Sequence, residues 1–187
     1  MAAPTDDFNA GWAAPLVYHL PSMNRTTSSN EDTQAIWRPD VTVASVVPRG
    51  GKFLLVEEVV RGELVLNQPA GHLEPGESLP AAARRETLEE TGWGVELTDL
   101  VGIYQWTNPG SDGHFLRFTF AAKALRHDPE RQLDAGIVRT LWLTRDEIAA
   151  EHARLRSPMV LRCVDDWVGG RRMPLDALVS LLAETGA

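Results

Sequence analysis

One stretch of this chain is written as a helix among segments written as strands, and that contrast limits the folds open to it. From Ser78 to Gly92 the sequence reads SLPAAARRETLEETG. Ser78 suits an N-cap, Pro80 falls in the first turn, AAARRE has strong helix propensity, and Gly92 can take the left-handed stop. Around it the pattern changes. VTVASVV (41–47) is β-branched, PRGG (48–51) is a turn, and KFLLVEEVV (52–60) is a second strand. RGE then turns into LVLNQ (64–68), a third extended piece. After the helix, VELTDLVGIYQW (95–106) and HFLRFTFAAKAL (114–125) flank TNPGSDG, a hairpin-type loop. GIVRTLWL (136–143) reads as a last buried strand that carries Trp142 into the core.

The C-terminal part is helical. Thr144 followed by Glu147 is a capping box. Ser157-Pro158 opens a further helix as N-cap and first residue, with Met159, Val160, Cys163, Val164 and Trp167 on one face and Gly169-Gly170 as its end. Strands first, one helix between them and helices last predict a single mixed α/β domain. Residues 1–36 differ: MAAPTDD and NRTTSSNEDTQ are polar turn formers, so this stretch is expected to be a flexible N-terminal extension. Within it Trp12, Leu16, Val17, Tyr18 and Leu20 either dock on the domain or a partner subunit, or fray.

The helix carries Glu86, Glu89 and Glu90. At about 100° per residue Glu86 and Glu90 lie about 40° apart and Glu89 within about 60° of Glu86, so three carboxylates share one edge. They repel one another and sit near the helix C-terminus, where the dipole disfavours anions. A divalent cation between them reverses both effects. Oxygen-only ligands, with no clustered histidine or cysteine, select a hard ion such as Mg²⁺ or Mn²⁺. Without the ion this is an acidic solvated face, and the spacing of the residues before it decides between the two.

That spacing is Gly71, five residues, Glu77, seven residues, then Arg85-Glu86-Thr87-Leu88-Glu89-Glu90-Thr91-Gly92-Trp93. It resembles the Nudix box, a glycine–five–glutamate–seven–arginine–glutamate motif ending in Glu-Glu-x-Gly. Every charged residue and both glycines match. Thr87 and Trp93 stand where the motif has bulky aliphatic residues, a change of packing and not of chemistry. The resemblance implies a Nudix-type α/β/α sandwich with a mixed β-sheet, a hydrolase domain over 37–187 with C-terminal helices, and a metal held by Glu86, Glu89, Glu90 and the Gly71 carbonyl. Arg85, by the same resemblance, pairs with Glu77 and ties the loop to the helix. Glu86 and Glu90 are the principal ligands expected, and Glu89 is either a third ligand or the general base.

Beyond the box, VTVASVV, GKFLLVEE, LNQPAGHLEPGESL, QW, FLRFTF and LRSPMV are similar to the NudJ-type branch of bacterial Nudix phosphatases, over roughly residues 40–178. This implies Mg²⁺-dependent hydrolysis of nucleoside tri- and diphosphates and of thiamine and hydroxymethylpyrimidine pyrophosphates, with orthophosphate released. The alternatives are another Nudix pyrophosphatase, acting on a nucleotide sugar or dinucleoside polyphosphate, and a Nudix-like ligand sensor. The sensor reading suits chains that have lost box carboxylates.

Residues for reading the substrate are less firmly marked. Trp106 stacks on a base or packs the core. Arg117, between alternating apolar residues, clamps a phosphate or lies on a solvated sheet face. Arg156 and Ser157 bind an anion at a helix start, or Ser157 caps that helix. His72 and His114 are expected as hydrogen-bonded loop residues, and Asp134 is not counted among the ligands.

Composition closes off other functions. With 18 Lys and Arg against 26 Asp and Glu, the net charge is −8, so no basic face tracks a nucleic-acid backbone. Cys163 is the one cysteine, expected in the core, and the reading is of a cytoplasmic protein, monomer or homodimer, with no membrane span. A P-loop, a Gly-x-Ser-x-Gly elbow and a paired-cysteine zinc pattern are all missing from the sequence.

Overall fold

Strand β1 (Asp40–Val46) ends in five consecutive buried residues, and β3 (Lys52–Val60) has five in a row from Phe53 to Glu57. Strands buried on both faces need a layer on each side. In the computed structural model, which describes residues 37–109 and 113–182, helices supply those layers. The alternation along β3 divides the core: Leu54 joins a cluster with Ala82 and Ala83, while Phe53 and Leu55 join one with Ile148, Val160 and Val164. The first cluster is covered by α1 (Leu79–Thr91), the second by α2 (Arg145–Ala150) and α3 (Met159–Val168). The fold is mixed α/β, as its sequence predicts.

Eight strands form two sheets among the described residues. The remaining ones are β2 (Pro48–Arg49), β4 (Glu63–Asn67), β5 (Ala70–His72), β6 (Trp93–Thr107), β7 (His114–His127) and β8 (Ile137–Thr144). One sheet has the order β5-β1-β7-β6, with β1 parallel to β7 and the other pairs antiparallel, which makes it mixed. In the other, β3 lies between β4 and β8, and β2 pairs with its start. The pairing of Gly71 with Val43 brings β5 alongside β1, so a segment rich in turn formers lies in a sheet.

Two expectations are corrected. β8 is an edge strand paired with β3 alone, and none of its residues is buried. Trp142 is half-buried, packed on the first cluster and edge-on to Trp93 at 5.8 Å. The helix after Ser157 starts one residue late, with Pro158 at the N-cap and no side-chain cap. The reason is a competing attachment: the Arg156 N–H donates to the Leu66 carbonyl at 2.8 Å and Leu155 bridges to Leu66, which draws Ser157 into the interior. The Thr144–Glu147 capping box does form, with reciprocal bonds of 3.2 and 2.7 Å. Cys163 is fully buried and lies 3.3 Å from the Thr119 hydroxyl. Residues 1–36, with their apolar segment from Trp12 to Leu20, lie outside the described residues. No helix among the described residues is long and apolar enough to cross a membrane.

Candidate active site

Helix α1 is set at both ends by the expected caps. The Ala81 N–H donates to Ser78 Oγ at 3.3 Å, and Gly92, at φ 68°, donates its N–H to the Leu88 carbonyl at 2.9 Å. Ala82 and Ala83 let the helix lie close to the sheet and are buried completely. Thr87 follows them inward. Its Oγ1 sits 2.8 Å from Ser45 Oγ and 2.7 Å from the Ala83 carbonyl, so a hydroxyl pair occupies the space of a branched aliphatic side chain.

The opposite edge of α1 faces β5. Glu86 and Glu90 are only 8% and 9% exposed, whereas Glu89 is half-buried. The Ala70 N–H donates to Glu90 Oε2 at 2.8 Å, joining the strand to the end of the helix. Gly71 is needed for steric reasons, since a Cβ there would lie 2.1 Å from the Glu86 carboxyl carbon. Close approach of β5 to a carboxylate thus depends on the missing side chain.

Arg85 is the hub. Its Nε and Nη2 donate to both oxygens of Glu77 at 3.1 and 2.7 Å, a bidentate pair, and Nη2 also donates to the His72 carbonyl at 3.1 Å. Nη1 donates to Glu86 Oε1 at 2.8 Å and to Glu89 Oε2 at 3.1 Å. One guanidinium therefore ties the loop, the strand and two carboxylates together. Glu77 Oε1 accepts in addition from the Glu74 N–H at 2.8 Å.

Electrostatics separate these carboxylates. The bonds from Arg85 hold Glu77 below the usual carboxylate range. Burial pushes Glu86 up, against the pull of Arg85, with Glu89 and Asp134 adding to the rise. Burial pushes Glu90 up to about 8, which the Ala70 N–H opposes and the charge of Glu86 reinforces. A cation at the site inverts this balance, because it favours the ionised forms.

Oxygens of Glu86, Glu89 and Asp134 lie within 4.8 Å of one another. Asp134 arrives from the segment before β8, where its N–H donates to the Glu89 carbonyl at 3.2 Å. It was not counted among the ligands on sequence grounds, and no local spacing marks it. Three converging carboxylates fit a hard divalent ion chemically. Glu90, expected as a principal ligand, is not one of the three; it is coupled electrostatically to Glu86, and Gly71 packs against the Glu86 carboxylate.

The family model for the NUDIX domain matches residues 37–163. The chain belongs to the Nudix family. The Escherichia coli K12 protein named phosphatase NudJ is 40% identical over 143 residues, 76% of this chain and 92% of that protein. A Nudix hydrolase from Nitrosomonas europaea superposes with a TM-score of 0.75 at 50% identity, covering 76% of this chain and 97% of that one. An ADP-ribose pyrophosphatase from Streptococcus suis shares the fold alone, with a TM-score of 0.55 at 18% identity over 72% of this chain and 93% of that one. This Nudix hydrolase therefore carries its box on β5, the following loop and α1.

Beside the Nudix box lies a cavity of about 220 Å³. Trp106, Arg117 and Arg156 all line it, Trp106 stacked on Phe115 at 5.6 Å between ring centroids. Arg117 is buried, Arg156 exposed and Trp106 half-buried, so the solvated-face alternative for Arg117 is excluded. Burial pushes the Arg117 guanidinium below its usual range, and its Nε reaches Thr42 Oγ1 at 3.5 Å. His72 also lines the cavity, and His114 Nδ1 lies 3.1 Å from the Thr107 hydroxyl. Asn67, Glu58 and Ser157 line it as well. Asn67 and Glu58 carry no sequence signal of function, and for Ser157 the capping alternative fails because its side chain makes no such bond.

Proposed function

We propose that this Nudix hydrolase cleaves phosphoanhydride bonds in nucleoside tri- and diphosphates and in thiamine-type pyrophosphates, namely thiamine pyrophosphate and hydroxymethylpyrimidine pyrophosphate. The product is orthophosphate and the ion Mg²⁺, with Mn²⁺ as a substitute. The observation that carries this reading is the 40% identity to a phosphatase over 143 residues, 92% of that protein.

Glu86, Glu89, Glu90 and the Gly71 carbonyl hold the ion, and Asp134 joins them by its place in the carboxylate cluster. A bound ion neutralises the phosphate oxygens and makes a water easier to deprotonate. The protein's own groups do the rest. Arg85 fixes the direction of Glu86 and Glu89, and Glu77 fixes Arg85. The Ala70 N–H holds Glu90. An ionised carboxylate of the cluster accepts the proton of the attacking water. The new P–O bond forms as the anhydride P–O bond breaks, and its electron pair leaves on the bridging oxygen. Trp106, Arg117 and Arg156 bind the rest of the substrate in the cavity.

Glu90→Gln tests the assignment: the variant is expected to melt as the wild type does and to lose most Mg²⁺-dependent phosphate release. Near wild-type turnover would sink it. Product analysis tests the reaction. Orthophosphate from a nucleoside triphosphate supports it, and nucleoside monophosphate with pyrophosphate points to the other pyrophosphatase class.

A further inference from the structure

A further cavity, of about 390 Å³, is lined by residues of β6, the start of α3 and the segment after that helix. It shares Trp106 and Met159 with the cavity beside the box, but not Gly71, Arg117 or Arg156. What sets it apart is a pair of arginines, Arg162 and Arg171. Arg162 Nε, Arg171 Nη1 and the Tyr104 hydroxyl all donate to Asp166 Oδ2, at 3.0, 3.3 and 2.9 Å.

The backbone fixes this convergence. Arg162 and Asp166 stand one turn apart on α3. Gly169 ends the helix, Gly170 turns the chain at φ 83°, and the Arg171 N–H donates to the Asp166 carbonyl at 2.9 Å. Two hydrogen bonds between Met173 and Leu100, of 2.8 and 2.9 Å, hold the segment on β6.

Charge is left over at the site. Burial opposes the ionised form of Asp166, but the bonds from Arg162 and Tyr104 overcome it and hold the carboxyl below its usual range. Burial pushes the Tyr104 phenol up, so it is a neutral donor. Two guanidinium charges therefore face one carboxylate, in a chain of net charge −8. Among the described residues Nη1 and Nη2 of Arg162, and Nε and Nη2 of Arg171, make no hydrogen bond. Both side chains are more than half exposed, so those donors are hydrated and open to an incoming group.

Guanidinium forks match oxyanions. Two forks offer more donors than the two oxygens of a carboxylate can serve, whereas a terminal phosphate brings three acceptor oxygens and up to two charges. The volume suits a ligand with a body behind its phosphate. Ile103, Pro158 and Trp106 give that body apolar and aromatic surface. We propose that this cavity is a second binding site, for an organic phosphate of nucleoside monophosphate size, with Arg162 and Arg171 on the phosphate. The site is separate from the carboxylates of α1 and does not depend on which bond the box cleaves.

The test is calorimetric titration of the full chain, without metal, using AMP, adenosine and inorganic phosphate as separate probes. AMP contains no anhydride bond, so the box cannot consume it. AMP is expected to bind saturably, and adenosine and inorganic phosphate at least about tenfold more weakly, because each lacks one half of the ligand. Arg162→Ala and Arg171→Ala are each expected to weaken AMP binding about tenfold, since each removes a charged donor. Both side chains are exposed, so both variants are expected to fold, and thermal melts check this. Arg156→Ala, which alters the cavity beside the box and not this one, is expected to leave AMP affinity unchanged. The absence of AMP binding overturns the inference, as does adenosine or inorganic phosphate binding as tightly as AMP. So does unchanged affinity in folded Arg162→Ala and Arg171→Ala. A loss in Arg156→Ala as large as in those variants puts the phosphate beside the box and overturns it too.

Discussion

Gly71→Ala probes the site through one carbon atom. Built on the β5 backbone, the new Cβ lies 2.1 Å from Cδ and Oε1 of Glu86 and 2.3 Å from Oε2. Ordinary contact between such atoms needs about 3.5 Å, so one side must give by about 1.4 Å. The strand has little freedom to move, because Gly71 pairs with Val43 and the Ala70 N–H is bound to Glu90. The Glu86 carboxylate is therefore the part that retreats. Its 2.8 Å bond from Arg85 Nη1 breaks at that displacement. A shift of about 1 Å in a positioned catalytic group costs about 100-fold in rate, or about 2.7 kcal/mol of transition-state stabilisation. Gly71 is not among the glycines with positive φ, so alanine brings no backbone strain and the fold is expected to hold. The assay is Mg²⁺-dependent phosphate release from a nucleoside triphosphate beside a thermal melt. The expected pair of results is a loss of about 100-fold in kcat/KM with little change in Tm. Glu86→Gln supplies the control: if both substitutions act through one carboxylate, the double variant is barely worse than the worse single one. Wild-type turnover in Gly71→Ala, or losses that multiply in the double variant, would refute the reasoning.

Asp134→Asn leaves the Asp134–Glu89 backbone bond intact and removes one carboxylate from the cluster, so the Mg²⁺ concentration for half-maximal activity is expected to rise about tenfold or more; an unchanged metal titration would place Asp134 outside the site. Glu57 is buried and held by Arg139 and Arg154, whose hydrogen bonds lower its pKa below the ordinary 4.5. A depressed folded-state pKa gives stability that is present above the unfolded value and lost as pH falls through the folded one. Melts of wild type and Glu57→Gln from pH 7 down to acid are therefore expected to converge below about pH 4.5, and a gap that stays constant would refute the linkage.

Much of the site is local, and its sequence discloses it. The Ser78 cap, the Gly92 stop and the shared edge of Glu86 and Glu90 follow from helix geometry within fifteen residues. The Arg85–Glu77 pair joins a helix to the loop directly before it, eight residues away, so family resemblance places it too. Asp134 was missed because it reaches Glu89 across 45 residues of chain. An asparagine ending a strand reads as a turn former and a serine before a proline reads as a cap as readily as an anion site, so local sequence does not mark Asn67 or Ser157 as lining the cavity.

By itself, the chain's sequence determines its class, its box and the chemistry of that box, because side chains a few residues apart on a helix or tight loop have their relative positions set by backbone geometry. Only the tertiary structure decides that β8 is an edge, that Asp134 joins the carboxylates, and that Asn67, Arg117 and Ser157 line one cavity. Those contacts depend on sheet order and on the attachment of Arg156 to Leu66. They bring together residues up to 90 positions apart, from Asn67 to Ser157, and no local periodicity encodes that distance.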